Sequence, residues 1–228
     1  MRRMWIQSAW ELKALMRNGE QLLISFALPI FALIGLLRFD ALGIADNRHA
    51  LAGALAMAVL ASAFTAQAIS LAIDRRYGVL RMFATTALGP TGLLGGKAIA
   101  IIVVALFQTV VLGITAWIVG IREPVNWAYV LVFVVLGVIA GVGLSVLIGG
   151  TMRAEAVIAV ANLLWILMLL AGAILPPDIG IFAYFPPGAL GEGLRAASVG
   201  SFDAVSVIVL AAWSMLLGWL ASRAMKWD

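Results

Sequence analysis

Six long apolar runs divide the chain, and charged or turn-forming residues separate each run from the next. The runs cover approximately residues 21–37, 50–73, 98–121, 127–150, 156–175 and 205–222. A helix needs roughly 20 apolar residues to cross the hydrocarbon core of a bilayer, and the short first run can extend back through Gly19. The pattern therefore predicts an all-α polytopic membrane protein with six transmembrane helices.

The segment before the first run, residues 1–20, has a different periodicity. Its apolar residues recur at helical spacing with polar residues mostly on the opposite side, whereas a cleavable signal peptide has an uninterrupted apolar centre. The charged residues that interrupt this segment are Glu11, Lys13, Arg17 and Glu20. We expect an amphipathic helix in the cytoplasmic interface, which turns at Asn18 and Gly19 into the first span. It would serve either as a membrane anchor or as a protein-docking surface.

Composition excludes several classes of protein. Of the 228 residues, 64% are hydrophobic and 11% are charged, and the mean hydropathy is +1.10, which a soluble domain could not accommodate. The chain has no cysteine and one histidine, His49, so disulfides and thiolate or multi-histidine metal sites are excluded. The net charge is +4, but the basic residues form no stripe interleaved with aromatic residues, so nucleic acid is not an expected partner.

The basic residues are distributed unevenly between the two sides of the membrane. With both termini in the cytoplasm, eleven basic residues lie inside and four lie outside, the four being Arg38, Arg48, Arg122 and Arg195. Cytoplasmic loops of membrane proteins carry an excess of lysine and arginine. The distribution therefore predicts a multi-pass protein of the cell membrane with both termini in the cytoplasm.

No Asp, Glu, Lys, Arg or His falls inside the six runs. Carriers driven by ion gradients usually need such a group at depth, so ion-coupled transport is disfavoured. Paired carboxylates at depth and a nucleophile with a neighbouring base are also missing, so we expect no enzymatic activity. The polar residues at depth are neutral and either line a substrate path or form interhelical hydrogen bonds; the candidates are Thr65, Gln67, Gln108, Thr115 and Asn162.

The cytoplasmic segment 74–97 concentrates positive charge and ends in Gly95-Gly96-Lys97. A phosphate-binding loop needs G-x-x-x-x-G-K-[ST], but Thr91 stands at the first glycine position and Ala98 at the hydroxyl position. The chain is therefore not expected to bind ATP. Lys97 is interpreted as an interfacial anchor at the start of the third span.

Helical spacing within this segment places Tyr77, Leu80 and Phe83 on one side, and a break is expected at Gly89 and Pro90. A short amphipathic helix of this kind could transmit force from a cytoplasmic partner. A solvated basic loop that only fixes the topology is the alternative.

Four stretches of the chain, taken in order, resemble the permeases of type-2 ATP-binding-cassette (ABC) exporters. "ELKALMRNGEQLLISFALPIF" is similar to the elbow helix and first span of that family, and "DRRYGVLRMFATTALGPTGLLGGKAIA" to its coupling segment. "AEAVIAVANLLWILMLLAGAILPP" and "FAYFPPGALGEGLRAA" resemble its fifth span and the re-entrant helices that follow. The likeness covers essentially the whole chain, with Ala87 in place of a common proline and Arg76 in place of a frequent glutamate.

The resemblance implies a single transmembrane domain, residues 1–228, with an elbow helix at 1–20, a coupling segment at 74–97 and an extracellular re-entrant loop at 176–204. The residues implied in coupling to an ATPase are Asp74, Arg75, Arg76, Gly78, Leu80, Arg81, Phe83 and Thr86. Those implied in the elbow helix are Glu11, Arg17 and Asn18. Asn162 becomes a candidate for a dimer seam formed by spans one and five, and Gln67 and Gln108 remain candidates for the substrate path.

The function that the resemblance implies is that of the permease subunit of an ATP-driven exporter, which moves an amphipathic drug, peptide or lipid-like substrate outward. The expected partners are two copies of a separate ABC ATPase and a second, identical permease chain, besides the lipid bilayer. No cofactor or metal is expected in this chain, because ATP and magnesium would be bound by the ATPase. The alternative is a non-transport membrane scaffold or assembly protein that binds a cytoplasmic partner through its basic loop.

Overall fold

The computed structural model describes residues 8–13, 17, 19–39, 47–84, 89–122, 124–174 and 180–224. No strand occurs among these residues, so the predicted all-α class is confirmed. Residues 8–13 form a helical segment, α1. The helices that follow are α2 (Gly19–Phe39), α3 (Asn47–Val59), α4 (Ala66–Arg76), α5 (Val79–Ala84), α6 (Gly89–Val119), α7 (Trp127–Thr151), α8 (Ala154–Met168), α9 (Pro186–Ser198) and α10 (Ala204–Ala224).

Five helical stretches of the described chain are long and apolar enough to cross a membrane. They are His49–Arg76, Gly95–Val119, Trp127–Thr151, Ala154–Gly172 and Ala204–Arg223. The apolar part of α2, Ser25–Leu37, is shorter than these. The chain is therefore a multi-pass membrane protein with five candidate spans, and the sixth predicted crossing stays a prediction.

Two of these stretches contain π-helical turns. Leu60–Thr65 joins α3 to α4 without interrupting the helix, so His49–Arg76 is continuous. Leu169–Ala173 continues α8 but contains a break, at which Gly172 has φ 127°. Glycine adopts this backbone conformation readily because it has no Cβ. The fifth predicted span therefore ends in an irregular turn whose carbonyl groups need other partners.

Helix α7 lies at the centre of the bundle and packs against α4, α6, α9 and α10. Its Gly137 and Gly141 allow neighbouring helices to approach closely. A Cβ on Gly137 would lie 2.8 Å from Leu190 of α9, and one on Gly141 would lie 2.9 Å from Ala63. This GxxxG face is therefore occupied by helices of the same chain.

The region between α8 and α10 folds back into the bundle. A 3₁₀ turn at Gly180–Tyr184 leads into α9, which packs against α3, α7 and α10. Leu190 and Leu194 of α9 are fully buried in the core. Pro186 begins the helix, where its missing N–H leaves no hydrogen bond unmade.

The start of α6 lies where a break after the short helix was expected, at Gly89 and Pro90. Helix α5 ends at Ala84, and a separate helix, α6, begins at Gly89 and continues through Lys97 to Val119. Proline is compatible with the first turn of a helix, where the backbone N–H groups have no intrahelical acceptor. The basic segment is therefore shorter than the loop predicted for residues 74–97.

Candidate functional site

The segment between α4 and α6 contains a sharp turn and a one-and-a-half-turn helix. Arg76 ends α4, Tyr77 and Gly78 form the turn, and α5 follows at Val79. Gly78 has φ 73°, which glycine tolerates better than any other residue. Its N–H donates to the Arg75 carbonyl over 3.1 Å, which closes the turn. This geometry reverses the chain immediately beyond the end of α4.

The two apolar residues that were predicted to share one side of this segment lie in different environments. Leu80 is only 1% exposed and belongs to the main hydrophobic core. Tyr77 is 76% exposed, because it sits in the turn rather than in the helix. The grouping of Tyr77 with Leu80 was therefore wrong. Tyr77 and Met82, which is 60% exposed, are large exposed side chains among those that the structure describes in this part of the chain.

Arg75 connects this turn to the end of α7. Its guanidinium donates hydrogen bonds to the carbonyl oxygens of Gly150 and Met152. These carbonyls lie at the C-terminus of α7, where backbone acceptors lack intrahelical partners and a positive charge is favoured by the helix dipole. Arg75 therefore holds the end of α4 against α7.

Arg76 makes a second link, to the start of α8. It forms an ion pair with Glu155, but both side chains are more than half exposed to solvent. Ion pairs in such surroundings typically contribute only about 0–1 kcal/mol. This link orients the surface of the turn and adds little stability.

Lys97 lies at the centre of a charge cluster that we name the Lys97 cluster. Its Nζ lies 3.1 Å from Glu11 Oε2 and 3.4 Å from Asp74 Oδ2, and the residue is only 5% exposed. A buried cation is stable only when it is paired and hydrogen-bonded. Two carboxylates meet that need, and they connect α1, the end of α4 and the first part of α6.

The Lys97 cluster was not predicted. Glu11 and Asp74 were assigned separately to the elbow helix and the coupling segment, and Lys97 was interpreted as an interfacial anchor. The two ion pairs join residues 86 and 23 positions apart, so no spacing pattern along the chain could indicate them. The structure thus joins a residue of the predicted elbow helix to two residues from opposite ends of the predicted coupling segment.

Several predicted coupling and elbow residues receive no structural test. The side chains of Arg81 and Phe83 are not described, and Thr86 and Asn18 lie outside the described residues. Arg17 is described and exposed. The roles assigned to these residues stay predictions.

Gln108 forms hydrogen bonds that join three helical segments. Its Nε2 donates to the Ser25 carbonyl over 3.0 Å, and its Oε1 accepts a 3.3 Å bond from the Ser62 hydroxyl. The side chain is buried. These contacts tie α6 to α2 and to the π turn, as interhelical hydrogen bonds between polar residues do.

The other polar candidates at depth are dispersed. Gln67 is buried, and Thr65 Oγ1 is buried without a hydrogen-bond partner in the described structure. Thr115 and Asn162 bond to carbonyls of their own helices, Val111 at 2.9 Å and Ile158 at 2.8 Å. Asn162 lies on the exposed side of α8.

A further cation, Arg195, is buried at the opposite end of the bundle from the Lys97 cluster. It donates to the Gly172 carbonyl over 3.0 Å and pairs with Glu192 at 3.1 Å. It thereby supplies a hydrogen-bond donor for the Gly172 carbonyl, which lies at the break after α8. The sequence placed Arg195 only as an exterior charge, because neither the break nor the folding back of α9 is visible in the pattern.

In the described part of the chain, no group of three or more His, Cys, Asp or Glu side chains is arranged to hold a metal ion. The cluster of Glu11, Asp74 and Lys97 holds its own cation in the lysine side chain.

The chain matches a known protein family over most of its length. The model of a family described as "ABC-2 family transporter protein" matches residues 41–223, which include α3 to α9 and nearly all of α10. The match begins after α2, so it does not extend to the elbow helix. Comparison with curated proteins and with solved structures found no match.

Proposed function

Because the chain belongs to the ABC-2 family of transporter proteins, we propose that it is the permease subunit of an ATP-driven exporter that works with a separate ATPase. Association with an ABC ATPase is a general property of this membrane family. Our proposal adds that transport is outward and that two identical permease chains rest on two ATPase subunits. It also counts α2 as the first of six spans in the cell membrane, with both termini in the cytoplasm.

The observation that carries the proposal is the way in which the turn after α4 is held. Arg75 ties it to α7, the Lys97 cluster ties it to α1 and α6, and Leu80 is buried beneath it. Tyr77 in this turn and Met82 in α5 remain exposed. A partner that contacts these two side chains would therefore push on a rigid element rather than on a mobile loop.

This arrangement supports a mechanism in which closure of the ATPase pair moves several helices together. A displacement of α5 would act on α7 through Arg75 and on α6 through Lys97. It would also act on α1 through Glu11, which shares the same ammonium group. The work would then come from ATP hydrolysis on the partner, which agrees with the absence of Asp, Glu, Lys, Arg and His from the six apolar runs.

In this proposal the partner subunit binds ATP and magnesium, and this chain is a non-enzymatic component. The Gly95-Gly96-Lys97 sequence does not weaken this assignment. Lys97 lies inside a helix with its Nζ between two carboxylates, so it is not presented to a phosphate. The substrate we propose is an amphipathic drug, peptide or lipid-like molecule, since neutral spans disfavour the burial of a strongly charged solute.

The test is capture of the ATPase by the tagged full-length permease from membranes of its own cells. Tyr77→Asp and Met82→Asp are expected to lower the yield of co-purified ATPase several-fold, because each places a charge on the exposed side of the turn. Tyr184→Asp is the matched control, since Tyr184 is 60% exposed at the opposite end of the bundle.

Equal capture by all variants would contradict the assignment of this turn as the docking site. Capture of no ATPase by the wild-type chain would contradict the proposed function. ATPase capture without nucleotide-dependent export in reconstituted vesicles would instead favour the scaffold alternative.

A further inference from the structure

A pocket opens at the end of α6 that lies opposite the Lys97 cluster. Its volume is about 230 Å³, and it lies between α3, the end of α6 and the start of α7. Its lining includes Leu51, Gly113, Ala116, Trp117, Arg122 and Trp127. Pockets that enclose a drug-sized ligand usually measure about 300–1,000 Å³. This one is large enough for one polar end of a molecule, whose remainder must lie outside.

Arg122 supplies the charge of this pocket. Its guanidinium carbon lies 4.8 Å from the centre of the Trp117 ring, and the residue is exposed. It forms no ion pair with any residue in the described part of the chain. Stacking on an aromatic face leaves the N–H edge of a guanidinium available for the oxygen atoms of a phosphate or carboxylate.

An exposed apolar stripe on α6 leads to the same place. Large side chains on one side of this helix face outward at helical spacing, namely Val103, Phe107, Val110, Ile114 and Trp117. The stripe runs from membrane depth to the mouth of the pocket, because Trp117 belongs to both. A molecule with an anionic head and long apolar chains matches this combination of charge and apolar surface.

We propose that the pocket binds the anionic headgroup of a phospholipid, whose acyl chains lie along the exposed stripe of α6. The phosphate oxygens accept hydrogen bonds from Arg122, and Trp117 and Trp127 flank the headgroup at the membrane boundary, where tryptophan is favoured. A free phosphate would gain only the contact with an exposed arginine, which is weak in water. This inference does not depend on an ATPase partner.

The test is titration of the purified full-length chain in detergent with phosphatidylglycerol, followed by native mass spectrometry. Arg122→Gln is expected to weaken binding roughly tenfold, because it removes a charge-assisted hydrogen bond. Arg223→Gln is the matched control. Arg223 also stacks on a tryptophan, Trp219, at 4.8 Å, but at the other end of the bundle and outside this pocket.

Two further ligands show whether the pocket recognises the anionic headgroup of the lipid. Diacylglycerol with the same chains is expected to bind wild-type protein roughly tenfold more weakly than phosphatidylglycerol, and Arg122→Gln should abolish that preference. Inorganic phosphate is expected not to displace the lipid. Phosphatidylglycerol binding that is unchanged in Arg122→Gln, or lowered equally in Arg223→Gln, overturns the proposal. Displacement by inorganic phosphate overturns the choice of a lipid as the occupant.

Discussion

Replacing Lys97 by methionine removes the cation of the Lys97 cluster and leaves two carboxylates facing each other. Removal of one partner from a fully buried ion pair typically costs about 3–5 kcal/mol. Here the Glu11 and Asp74 side chains are 18% and 30% exposed, so water compensates for part of that loss. We expect the free energy of unfolding to fall by about 2–3 kcal/mol, which raises the unfolded fraction roughly 30- to 150-fold.

Thermal unfolding of the purified chain in detergent, followed by tryptophan fluorescence, measures this effect. A loss of this size lowers the midpoint by roughly 4–12 °C for a chain of this length. Lys13→Met is the matched control, because Lys13 is an exposed cation of the same α1 segment, 5.3 Å from the Trp10 ring. It is expected to shift the midpoint by no more than about 2 °C, as an exposed charge contributes little.

A combined variant provides the decisive comparison. Adding Glu11→Gln and Asp74→Asn to Lys97→Met removes the two carboxylates that have lost their contact with the Lys97 ammonium group, and replacement of a whole ion cluster by neutral groups is often close to neutral in stability. The triple variant should therefore recover much of the lost stability. If Lys97→Met unfolds at the wild-type temperature, or if the two amide substitutions lower its midpoint further, the argument that this cluster joins α1, α4 and α6 is refuted.

Two other substitutions test the turn and the interhelical hydrogen bonds by the same unfolding measurement. Gly78→Ala should lower the free energy of unfolding by about 1–2 kcal/mol, because no atom lies within 4 Å of a Cβ built there and only the positive φ opposes the change. Gly78→Asn should lower it less, since asparagine tolerates a positive φ better than alanine. Equal losses for the two variants would contradict this explanation. Gln108→Leu should cost about 1–2 kcal/mol, since it leaves the Ser25 carbonyl without its Gln108 donor, whereas the Ser62 hydroxyl keeps its 2.8 Å bond to the Ala58 carbonyl. Thr115→Val, which removes only a bond within α6, should cost less than Gln108→Leu, and the reverse order would count against the bridging role of Gln108.

Features that depend on local pattern were predictable from the sequence. The apolar runs indicated membrane helices, and the five candidate spans of the structure correspond to runs two to six. The boundaries were less accurate, as the run 98–121 shows. Helix α6 begins at Gly89, nine residues before that run, because proline fits the first turn of a helix.

Features that depend on contacts between distant segments were not predictable. The burial of Lys97 between Glu11 and Asp74 requires knowledge of which helix ends meet in space. The hydrogen bond from Arg75 to the Gly150 carbonyl was also not predictable, because its acceptor is a backbone group that no sequence pattern distinguishes. Side-chain periodicity also could not reveal that the turn at Gly78 separates Tyr77 from Leu80.

The central helix α7 is held at both of its ends by hydrogen bonds to other parts of the chain. Arg75 binds the Gly150 carbonyl at one end, and at the other the N–H of Asn126 donates to the Ala197 carbonyl over 3.0 Å. A straight helix of 25 residues is about 38 Å long. Helix α7 is thus long enough to span the bilayer. A displacement of the turn at Arg75 along the helix axis would move the other end of α7, and with it α9, by nearly the same distance.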